Sequence, residues 1–522
     1  MAAQLPPSIF NDVIGPVMRG PSSSHSAASV RIGRMARDLC GGLPDRVVFE
    51  FDTLGSLATT HESQGSDMGL CGGLLGWEAH DPRLAESAAA LAAAGASVEY
   101  RCLELHDPHP NTYRMTIVRG GTTHRMTALS VGGGMIEVVA IDGARVLLHG
   151  DYDATVLDVA PHAEASVAAA LRGHADEVQA PAGSGIVVAC GQQPLPPAVL
   201  AQLQGVLRVR TMSAVLPVRS RSGMKVPFLH AGELAAHGDL HRQPLSDFAL
   251  QYECARGGIG TEAVFECMRA IRTIVAQGMA AGLAGTEYRD RILPRQSHRF
   301  AEQLAAGKLL DCGLLNRAIL CVTALMEVKS SMGVFVAAPT AGSCGTFPGT
   351  VQAAAEMLQA SEEQVLRAML TAGLVGVFVA TRSSFAAEVG GCQAETGAGA
   401  AMAAAALVEL MGGSAAMGLS AASHALQNVL GLICDPIANR VEAPCLGRNI
   451  AGAANAIACA NMALSGYDHL IPLDEVLDAH REVSERMARE LRCTALGGLS
   501  VTPTSKAIEQ RLCGSGGCGS CG

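Results

Sequence analysis

The stretch TVQAAAEMLQASEEQVLRAMLTAGLVGVF, residues 350–378, decides the fold class of the C-terminal half of this chain. Its apolar residues recur at helical spacing rather than in the alternation of a strand. Three more stretches have the same spacing: FECMRAIRTIVAQGM (265–279), RAILCVTALMEV (317–328) and LDEVLDAHREVSERMAREL (473–491). Glycine-rich joints separate these stretches and strand signals nearly vanish, so we predict an all-α domain over residues 223–510.

The N-terminal part has a different pattern. Residues 1–150 mix helical stretches with strand-like ones such as VVFEFD (47–52), which indicates an α/β-mixed domain. Residues 151–222 alternate strand and helix signals and predict a small α/β module, either regulatory or an oligomer contact. Glycine and cysteine dominate residues 511–522, which predicts a flexible tail. The predicted fold class is therefore α+β.

Composition limits the kinds of partner. Of 522 residues, 49 % are hydrophobic and only 16 % are charged, which favours a helix-rich interior and a homodimer or higher homo-oligomer. The formal net charge of −10 argues against nucleic acid. We expect no membrane association, because no apolar run approaches the roughly 20 residues of a membrane span. No secretory signal is evident, so we expect a cytoplasmic protein whose 17 cysteines stay reduced.

Three of these cysteines stand beside glycine or proline between predicted helices. They are Cys392 in EVGGCQAETG, Cys434 in GLICDP and Cys445 in EAPCLGRN. Such turns leave backbone N–H groups free to bond sulfur, and three thiolates suit an iron–sulfur cluster. The spacing matches neither a zinc ribbon nor a ferredoxin motif. Spacing alone therefore leaves two interpretations open, cluster ligands and small buried hydrophobic residues.

Two hydroxyl-rich stretches precede predicted helices. GPSSSHSAASVRIGR (20–34) places three serines and His25 ahead of a helical run, and VAAPTAGSCGTFPGTV (336–351) places Thr340 and Ser343 similarly. Hydroxyls and free N–H groups at a helix start favour a carboxylate or phosphate. An ordinary serine cap explains the first stretch equally well.

A third polar stretch, HPNTYR (109–114), brings His109 and Asn111 just ahead of a strand, and SVGGGMIEV (130–138) follows. Three glycines leave a strand bare for a ligand or another backbone, although a tight turn also accounts for them. A pyridoxal-phosphate enzyme would need a Schiff-base lysine. None of the four lysines of the chain stands in a setting that suggests one.

Together these motifs resemble the iron–sulfur-dependent L-serine dehydratases, a family of L-serine ammonia-lyases. GPSSSH, GSLATT with its following D-x-G-L-x-G-G-L-L-G, HPNT and SVGGG are similar to the β domain of that family. AAPTAGS, GGCQAE-x-G, the span from Cys434 to Cys445 and LGGLSVTPT are similar to its α domain, in the same order. The resemblance implies a 4Fe–4S cluster bound through Cys392, Cys434 and Cys445. It further implies dehydration of L-serine to pyruvate and ammonia, a reaction of amino-acid catabolism and gluconeogenesis.

The resemblance also implies roles for the polar residues. We predict that substrate is held by hydroxyl, imidazole and amide groups from both halves of the chain: Ser22, Ser23, Ser24, His109, Asn111, Thr340 and Ser343. His61 and His25 are the predicted catalytic residues. One departure concerns the base, because Gln64 in HESQGSD (61–67) stands where the family has a histidine. A neutral amide is no general base, so either His61 has taken that role or the substrate or the mechanism has changed.

Two questions stay open at this point. A cluster with three protein ligands leaves one iron open, and Cys513, Cys518 or Cys521 of the tail is a candidate for occupying it. Because the HESQ stretch departs from the family pattern, two alternatives to serine dehydration also stay open. One is a lyase that acts on L-cysteine or another 3-substituted amino acid, and the other is a cluster-bearing sensor without catalysis.

Overall fold

The computed structural model describes residues 5–288 and 291–514. These residues form two compact units, one of residues 24–225 and one that combines the chain up to residue 23 with the chain from residue 226 onward. Strands concentrate in the first unit and helices in the second, which confirms the predicted α+β class. Cys518 and Cys521 lie outside the described residues.

The unit of residues 24–225 contains a six-stranded sheet. Its strands are β1 (Arg46–Asp52), β2 (Ser97–Leu103), β3 (Thr112–Arg119), β4 (Thr122–Gly132), β5 (Met135–Ile141) and β6 (Ala144–Leu148). They lie in the order β2-β1-β3-β4-β5-β6, with β1 and β2 parallel and every other neighbouring pair antiparallel. The helices of this part are α1 (Ala28–Leu39), α2 (Leu57–Thr60), α3 (Ser66–Leu74) and α4 (Ser87–Ala93).

Close packing of α1 against α3 explains the glycines of the motif that begins at Asp67. A Cβ atom on Gly73 would stand 2.2 Å from the carbonyl oxygen of Val30, and one on Gly69 would stand 2.4 Å from that of Ser26. Both distances are far below van der Waals contact, so a side chain at either position would push the helices apart. These two glycines are thus required by helix contact.

A second sheet follows in the same unit. Its strands are β7 (Asp153–Val159), β8 (Glu177–Gln179), β9 (Ile186–Gly191) and β10 (Val206–Met212), and its helices are α5 (Glu164–Ala170) and α6 (Pro197–Leu200). The strands are antiparallel in the order β10-β7-β9-β8. Val156 and Val188 join the hydrophobic core of the first sheet, while Leu157 and Val187 form a separate core with Val167 of α5. The predicted 151–222 module therefore shares one face with the preceding residues.

The other unit is helical apart from a short antiparallel pairing of Val17–Met18 with Phe335–Val336. Its first six helices are α7 (Leu245–Gly257), α8 (Thr261–Ala284), α9 (Ser297–Ala305), α10 (Leu314–Ser330), α11 (Thr346–Leu358) and α12 (Glu362–Arg382). The next six are α13 (Ala387–Gly390), α14 (Ala398–Leu410), α15 (Ala415–Gln427), α16 (Cys445–Leu464), α17 (Leu473–Arg486) and α18 (Pro503–Gly514). The stretch 350–378 thus forms most of α11 and α12, which are separated at Gln359 by a left-handed residue with φ 51°.

Helix α14 lies at the centre of this unit. Nearly all of its residues are buried, and it packs against α11, α12, α15 and α16. Alanine and glycine supply most of its surface, so neighbouring helices can approach closely on every side. Helix α12 is long and apolar enough to cross a membrane, but 78 % of its apolar window is buried inside the unit. That degree of burial is typical of a core helix.

The first described residues belong to the helical unit, although the sequence pattern places them with the N-terminal domain. The hydroxyl of Ser8 donates to Glu253 of α7 at 2.5 Å, and the backbone N–H of Ile9 donates to the same carboxyl group at 2.9 Å. Further along, the N–H of Gly15 donates to the carbonyl of Ala337 at 2.9 Å. These long-range bonds attach the segment to α7 and to the strand pair.

Glu253 generates a prediction about stability and pH. Burial raises the pKa of this carboxyl from 4.5 to about 7, against the opposing effects of Ser8, Ile9 and Arg256. The folded protein therefore keeps a proton that the unfolded chain releases near pH 4.5. The stabilisation that this group contributes is fully present below pH 4.5 and is lost as the pH rises through about 7. The free energy of unfolding falls by about 3 kcal/mol over this range.

We expect Glu253→Gln to remove this slope, because an amide does not ionise. The measurement is the free energy of unfolding in urea between about pH 5 and 8. Glu362→Gln on the exposed first turn of α12 is the control and should keep the wild-type slope. Equal slopes in Glu253→Gln and wild type would contradict the prediction.

Candidate functional site

The three predicted cluster cysteines are buried in the helical unit. Cys392 immediately precedes a π-helical turn, Gln393–Gly397, that leads into α14. Cys434 lies in the loop after α15, and Cys445 is the first residue of α16. Cys392 and Cys434 pack in one small buried cluster with Cys493, whose backbone N–H donates to the carbonyl of Cys434 at 3.2 Å. The structure thus gathers cysteines from distant parts of the sequence, including one that the sequence analysis missed.

Gln393 fixes the Cys392 turn against the Cys434 loop. Its side-chain oxygen accepts the N–H of Gly431 at 2.8 Å, and its backbone N–H donates to the carbonyl of Leu432 at 3.0 Å. Its side-chain N–H donates to Ser484 of α17 at 2.7 Å. Because Gln393 is fully buried, each of these bonds is costly to lose. One amide therefore sets the spacing between two predicted ligands.

Arg448 of α16 places a positive charge beside the thiols. Its guanidinium donates to the sulfur of Cys392 at 3.3 Å and to the carbonyl of Ile433 at 3.0 Å, and it forms an ion pair with Asp435. The second oxygen of Asp435 accepts the N–H of Leu499 at 2.8 Å. The C-D-P motif and the closing LGGLSVTPT motif are therefore joined through one carboxylate.

These contacts set the thiol pKa values in opposite directions. The hydrogen bond from Cys434 and the charge of Arg448 lower the pKa of Cys392 against the effect of burial. Hydrogen bonding to Cys392 and Cys493, together with burial, raises the pKa of Cys434, and burial raises that of Cys445. Cys392 is thus the thiol whose anion the protein stabilises best.

The predicted substrate hydroxyls of this unit converge on a carboxyl group. Thr340 donates to Glu395 at 2.7 Å, and its hydroxyl lies 3.1 Å from that of Ser343. Burial and then the neighbouring Cys392 raise the pKa of Glu395 to about 8. A Cβ atom on Gly342 would stand 2.6 Å from the carboxylate, so glycine there allows the close approach. Glu395 lies on the same turn as Cys392, so this turn carries both a predicted ligand and a polar acceptor.

The serines of GPSSSH are buried as well. Ser23 accepts the N–H of Ala341 at 3.2 Å, which links it to the Thr340 loop within the helical unit. Ser22 lies next to it in the same unit, and Ser24 is the first residue of the other unit.

In the unit of residues 24–225, His61 has the setting of an oriented base. Its Nδ1 lies 2.7 Å from the carboxylate of Asp67, and its ring packs against Phe51 and Tyr100. A carboxylate only accepts hydrogen bonds, so Nδ1 carries the proton and Nε2 carries the lone pair. His25 differs, because it is fully buried, its Nε2 lies 2.7 Å from Thr60, and burial and His61 lower its pKa to about 3.

Two buried polar side chains of the same unit have unused hydrogen-bonding capacity. The amide of Asn111 and the hydroxyl of Ser130 have no hydrogen-bond partner among the described residues. The two residues are neighbours, since the N–H of Ser130 donates to the carbonyl of Asn111 at 3.1 Å. His109 accepts the backbone N–H of Asn111 at 3.2 Å through Nδ1. Buried groups without partners are rare, and a bound polar ligand is one explanation for such a pair.

The donors gathered here are cysteine thiols, the residue type that ligates iron–sulfur clusters. Among residues 5–288 and 291–514, no three cysteine, histidine or acidic side chains are grouped closely enough to hold one ion. The thiols here are reduced, buried and close to a guanidinium that offsets negative charge. These residues fit an iron–sulfur cluster in their chemistry.

Comparison with known proteins agrees with this arrangement. A family model described as "Serine dehydratase alpha chain" matches residues 240–500. A "Probable L-serine dehydratase, alpha chain" of Bacillus subtilis is 39 % identical over 253 residues, 48 % of this chain and 84 % of that protein. The chain belongs to the L-serine dehydratase family.

Two further relatives extend the likeness beyond the helical unit. The "Probable L-serine dehydratase, beta chain" of Bacillus subtilis is 39 % identical over 150 residues, 29 % of this chain and 67 % of that protein. An "L-serine dehydratase" of Mycobacterium bovis is 28 % identical over 507 residues, 94 % of this chain and 97 % of that protein. This member of the L-serine dehydratase family is therefore a lyase.

Sequence reasoning missed two residues of the site in this family member. Glu395 stands within the quoted GGCQAE motif, so its proximity to Cys392 was visible, but its contact with Thr340 depends on the tertiary fold. Cys493, in the stretch RCTALGG, follows α17 and carries no local signal beyond being a cysteine. Its pairing with Cys434 comes from a backbone bridge between Cys434 and Arg492.

Asn449 generates a prediction about the architecture of the site. Its side-chain oxygen accepts from the N–H groups of Gly345 and Thr346 at 3.2 and 3.0 Å. Its side-chain nitrogen donates to the carbonyls of Gly342 and Cys445 at 2.7 and 2.8 Å. We expect Asn449→Ala to lower the free energy of unfolding by about 3 kcal/mol, because several buried groups lose their partner.

The measurement is urea unfolding followed by circular dichroism. Gln352→Ala is the matched control, since this amide of α11 donates to Glu356 in an exposed contact, and its effect should stay below about 0.5 kcal/mol. Similar losses for the two variants would refute the bridging role of Asn449.

Proposed function

We propose that this chain is an iron–sulfur-dependent L-serine ammonia-lyase that converts L-serine to pyruvate and ammonia. The observation that carries the proposal is the turn from Cys392 to Glu395. It joins a predicted cluster ligand to a carboxyl group that already contacts the predicted substrate hydroxyl of Thr340. The names of the relatives, which are L-serine dehydratases, support serine as the substrate. We further propose a cytoplasmic homo-oligomer, consistent with the apolar composition.

The 4Fe–4S cluster is proposed to bind through Cys392, Cys434 and Cys445. When bound, such a cluster supplies a Lewis acid at an iron without a protein ligand. The residues of this chain prepare the site for it. Arg448 holds positive charge at the sulfur of Cys392, and Gln393 keeps the Cys392 turn and the Cys434 loop in register.

Glu395, Thr340 and Ser343 are proposed to hold the substrate amino group. A buried carboxyl group with a raised pKa gains most from a cationic partner, because the ammonium group stabilises its ionised form. Ser22, Ser23 and Ser24 remain candidates for the substrate carboxylate. His109 and Asn111 remain candidates too, and the unpartnered amide of Asn111 is the best-supported of these donors.

His61 is proposed to remove the α-proton of serine. Asp67 holds its Nδ1 proton, so Nε2 is available to accept a proton from substrate. The pair of His61 and Asp67 would supply a base even though Gln64 stands where the family has a histidine. The buried His25 has a pKa of about 3 and is too weakly basic for this role at neutral pH. It instead forms a hydrogen bond with the hydroxyl of Thr60.

The primary test is pyruvate release from L-serine after anaerobic reconstitution with iron and sulfide. We expect turnover that is lost on exposure to air, and we expect Cys392→Ala to lose both the visible cluster absorbance and turnover. Sulfide release from L-cysteine without pyruvate formation from serine would instead assign the alternative substrate. An intact cluster with no turnover on either amino acid would refute a lyase acting on these two compounds.

The base is tested by His61→Ala. We expect kcat to fall about 10²–10⁴-fold, because proton abstraction loses its acceptor, while the cluster absorbance is unchanged. His80→Ala, a change at an exposed histidine of the same unit, is the control and should retain wild-type kcat. A His61→Ala variant with wild-type kcat would exclude His61 as the base.

A further inference from the structure

Lys329 is a buried lysine near the end of α10. Only 1 % of its surface is exposed, whereas Lys225, Lys308 and Lys506 are all exposed. Its Nζ donates a hydrogen bond to the carbonyl oxygen of Val441. In the part of the chain that the structure describes, no acidic side chain forms an ion pair with Lys329. Lysine is rarely buried without a counter-ion, because a neutral carbonyl replaces the hydration of its charge only in part.

Glu395 interacts with this charge but is a weak counter-ion for it. Burial and then the neighbouring Cys392 raise the pKa of Glu395 to about 8, and the charge of Lys329 opposes that rise. At neutral pH the carboxyl group is therefore mostly protonated and carries little negative charge. The positive charge of Lys329 is thus left to be balanced by another group.

The contacts of Lys329 lie on the side of the site that carries Cys445. Helix α10 packs against α16, whose first residue is Cys445, and Val441 precedes that residue by four positions. The next residue, Glu442, accepts the N–H of Leu293 at 2.7 Å. The turn of residues 441–445 is therefore held at two consecutive positions, and Lys329 supplies one of the two bonds.

Lys329 and Arg448 provide positive charge to different thiols. The guanidinium of Arg448 donates to the sulfur of Cys392 at 3.3 Å. At Cys445, burial raises the pKa of the thiol and the charge of Lys329 opposes that rise. Arg448 has Asp435 as an ion-pair partner, whereas Lys329 has no such partner among the described residues. An anion at the thiols would balance the charge of Lys329 directly.

We propose that Lys329 is a positioning residue for the cluster, one that offsets the negative charge of the thiolates on the Cys445 side and holds the turn of residues 441–445. This inference rests on the proposed function, since the anion that balances Lys329 is the cluster itself. Three thiolates make a bound cluster negative, and the charges around it help to set its reduction potential. A nearby positive charge favours the reduced form, because that form holds one more electron.

The test is a redox titration of the anaerobically reconstituted protein with dithionite and mediator dyes, followed by electron paramagnetic resonance. Lys329→Gln keeps an N–H donor for the carbonyl of Val441 but removes the charge. We expect the ratio of reduced to oxidised cluster at a fixed potential to fall about tenfold, which corresponds to about 59 mV for a one-electron couple.

Two further variants separate charge from hydrogen bonding. Lys329→Met removes both, so it should show the same fall in the ratio and also bind less iron, because the turn of residues 441–445 loses a bond. Lys329→Arg retains a positive charge and should stay near the wild-type ratio. A residue with a purely structural role would change stability and iron content without moving the ratio in loaded protein.

Lys506→Gln is the matched control. It removes an exposed lysine of the same unit that is paired with Glu509, and it should keep the wild-type ratio. Circular dichroism of the proteins without iron checks that each variant folds, and iron and sulfide analysis gives the loading of each. Lys329→Met carries the same charge change if Lys329→Gln does not fold.

The outcomes distinguish this inference from the proposed function. A wild-type ratio in loaded Lys329→Gln and Lys329→Met overturns the inference but leaves a cluster lyase in place, and so does an equal fall in Lys506→Gln. Loss of the cluster from Lys329→Gln but not from Lys329→Arg supports the inference, because it shows that the charge is required. If wild type binds no iron and sulfide, or if Cys392→Ala retains both, then the proposed function itself fails and the inference fails with it.

Discussion

The burial of helix α14 on all sides is the constraint on which the helical unit depends. Its surface consists mostly of alanine and glycine, so it gains stability only when other helices surround it closely. The neighbours that do so include α16, which begins at Cys445, and the turn that enters α14 follows Cys392. Packing around one apolar helix thereby fixes the positions of two predicted ligands before any cofactor contributes.

The charged groups differ between the two ends of the site, which are the thiols and the Thr340 loop. Near the thiols, Arg448 is paired with Asp435, so a guanidinium is held in place and still reaches the sulfur of Cys392. At the Thr340 loop, the carboxyl group of Glu395 accepts a hydrogen bond from the hydroxyl of Thr340, and burial favours its neutral form. This arrangement supports the proposal of a negative cofactor on one side and a cationic amino group on the other.

Much of this organisation could be predicted from the sequence. The contacts that could not be predicted were missed for a single reason. Helical spacing over residues 350–378 correctly predicted α11 and α12, because periodicity is a local property. Glycine and proline next to Cys392, Cys434 and Cys445 marked turns for the same reason. The contacts of Cys493 and Glu395, and the attachment of Ser8 to Glu253, join residues far apart in the chain. Local pattern carries no information about such pairs.

The bridge between Cys434 and Arg492 has a consequence for biosynthesis. The loop that carries Cys434 obtains its backbone partners from residues 491–493, close to the end of the described chain. A nascent chain lacks those partners until residues 491–493 have left the ribosome, so the loop cannot form these backbone bonds earlier. The backbone bonds of the Cys434 loop therefore form only after α17 has been synthesised.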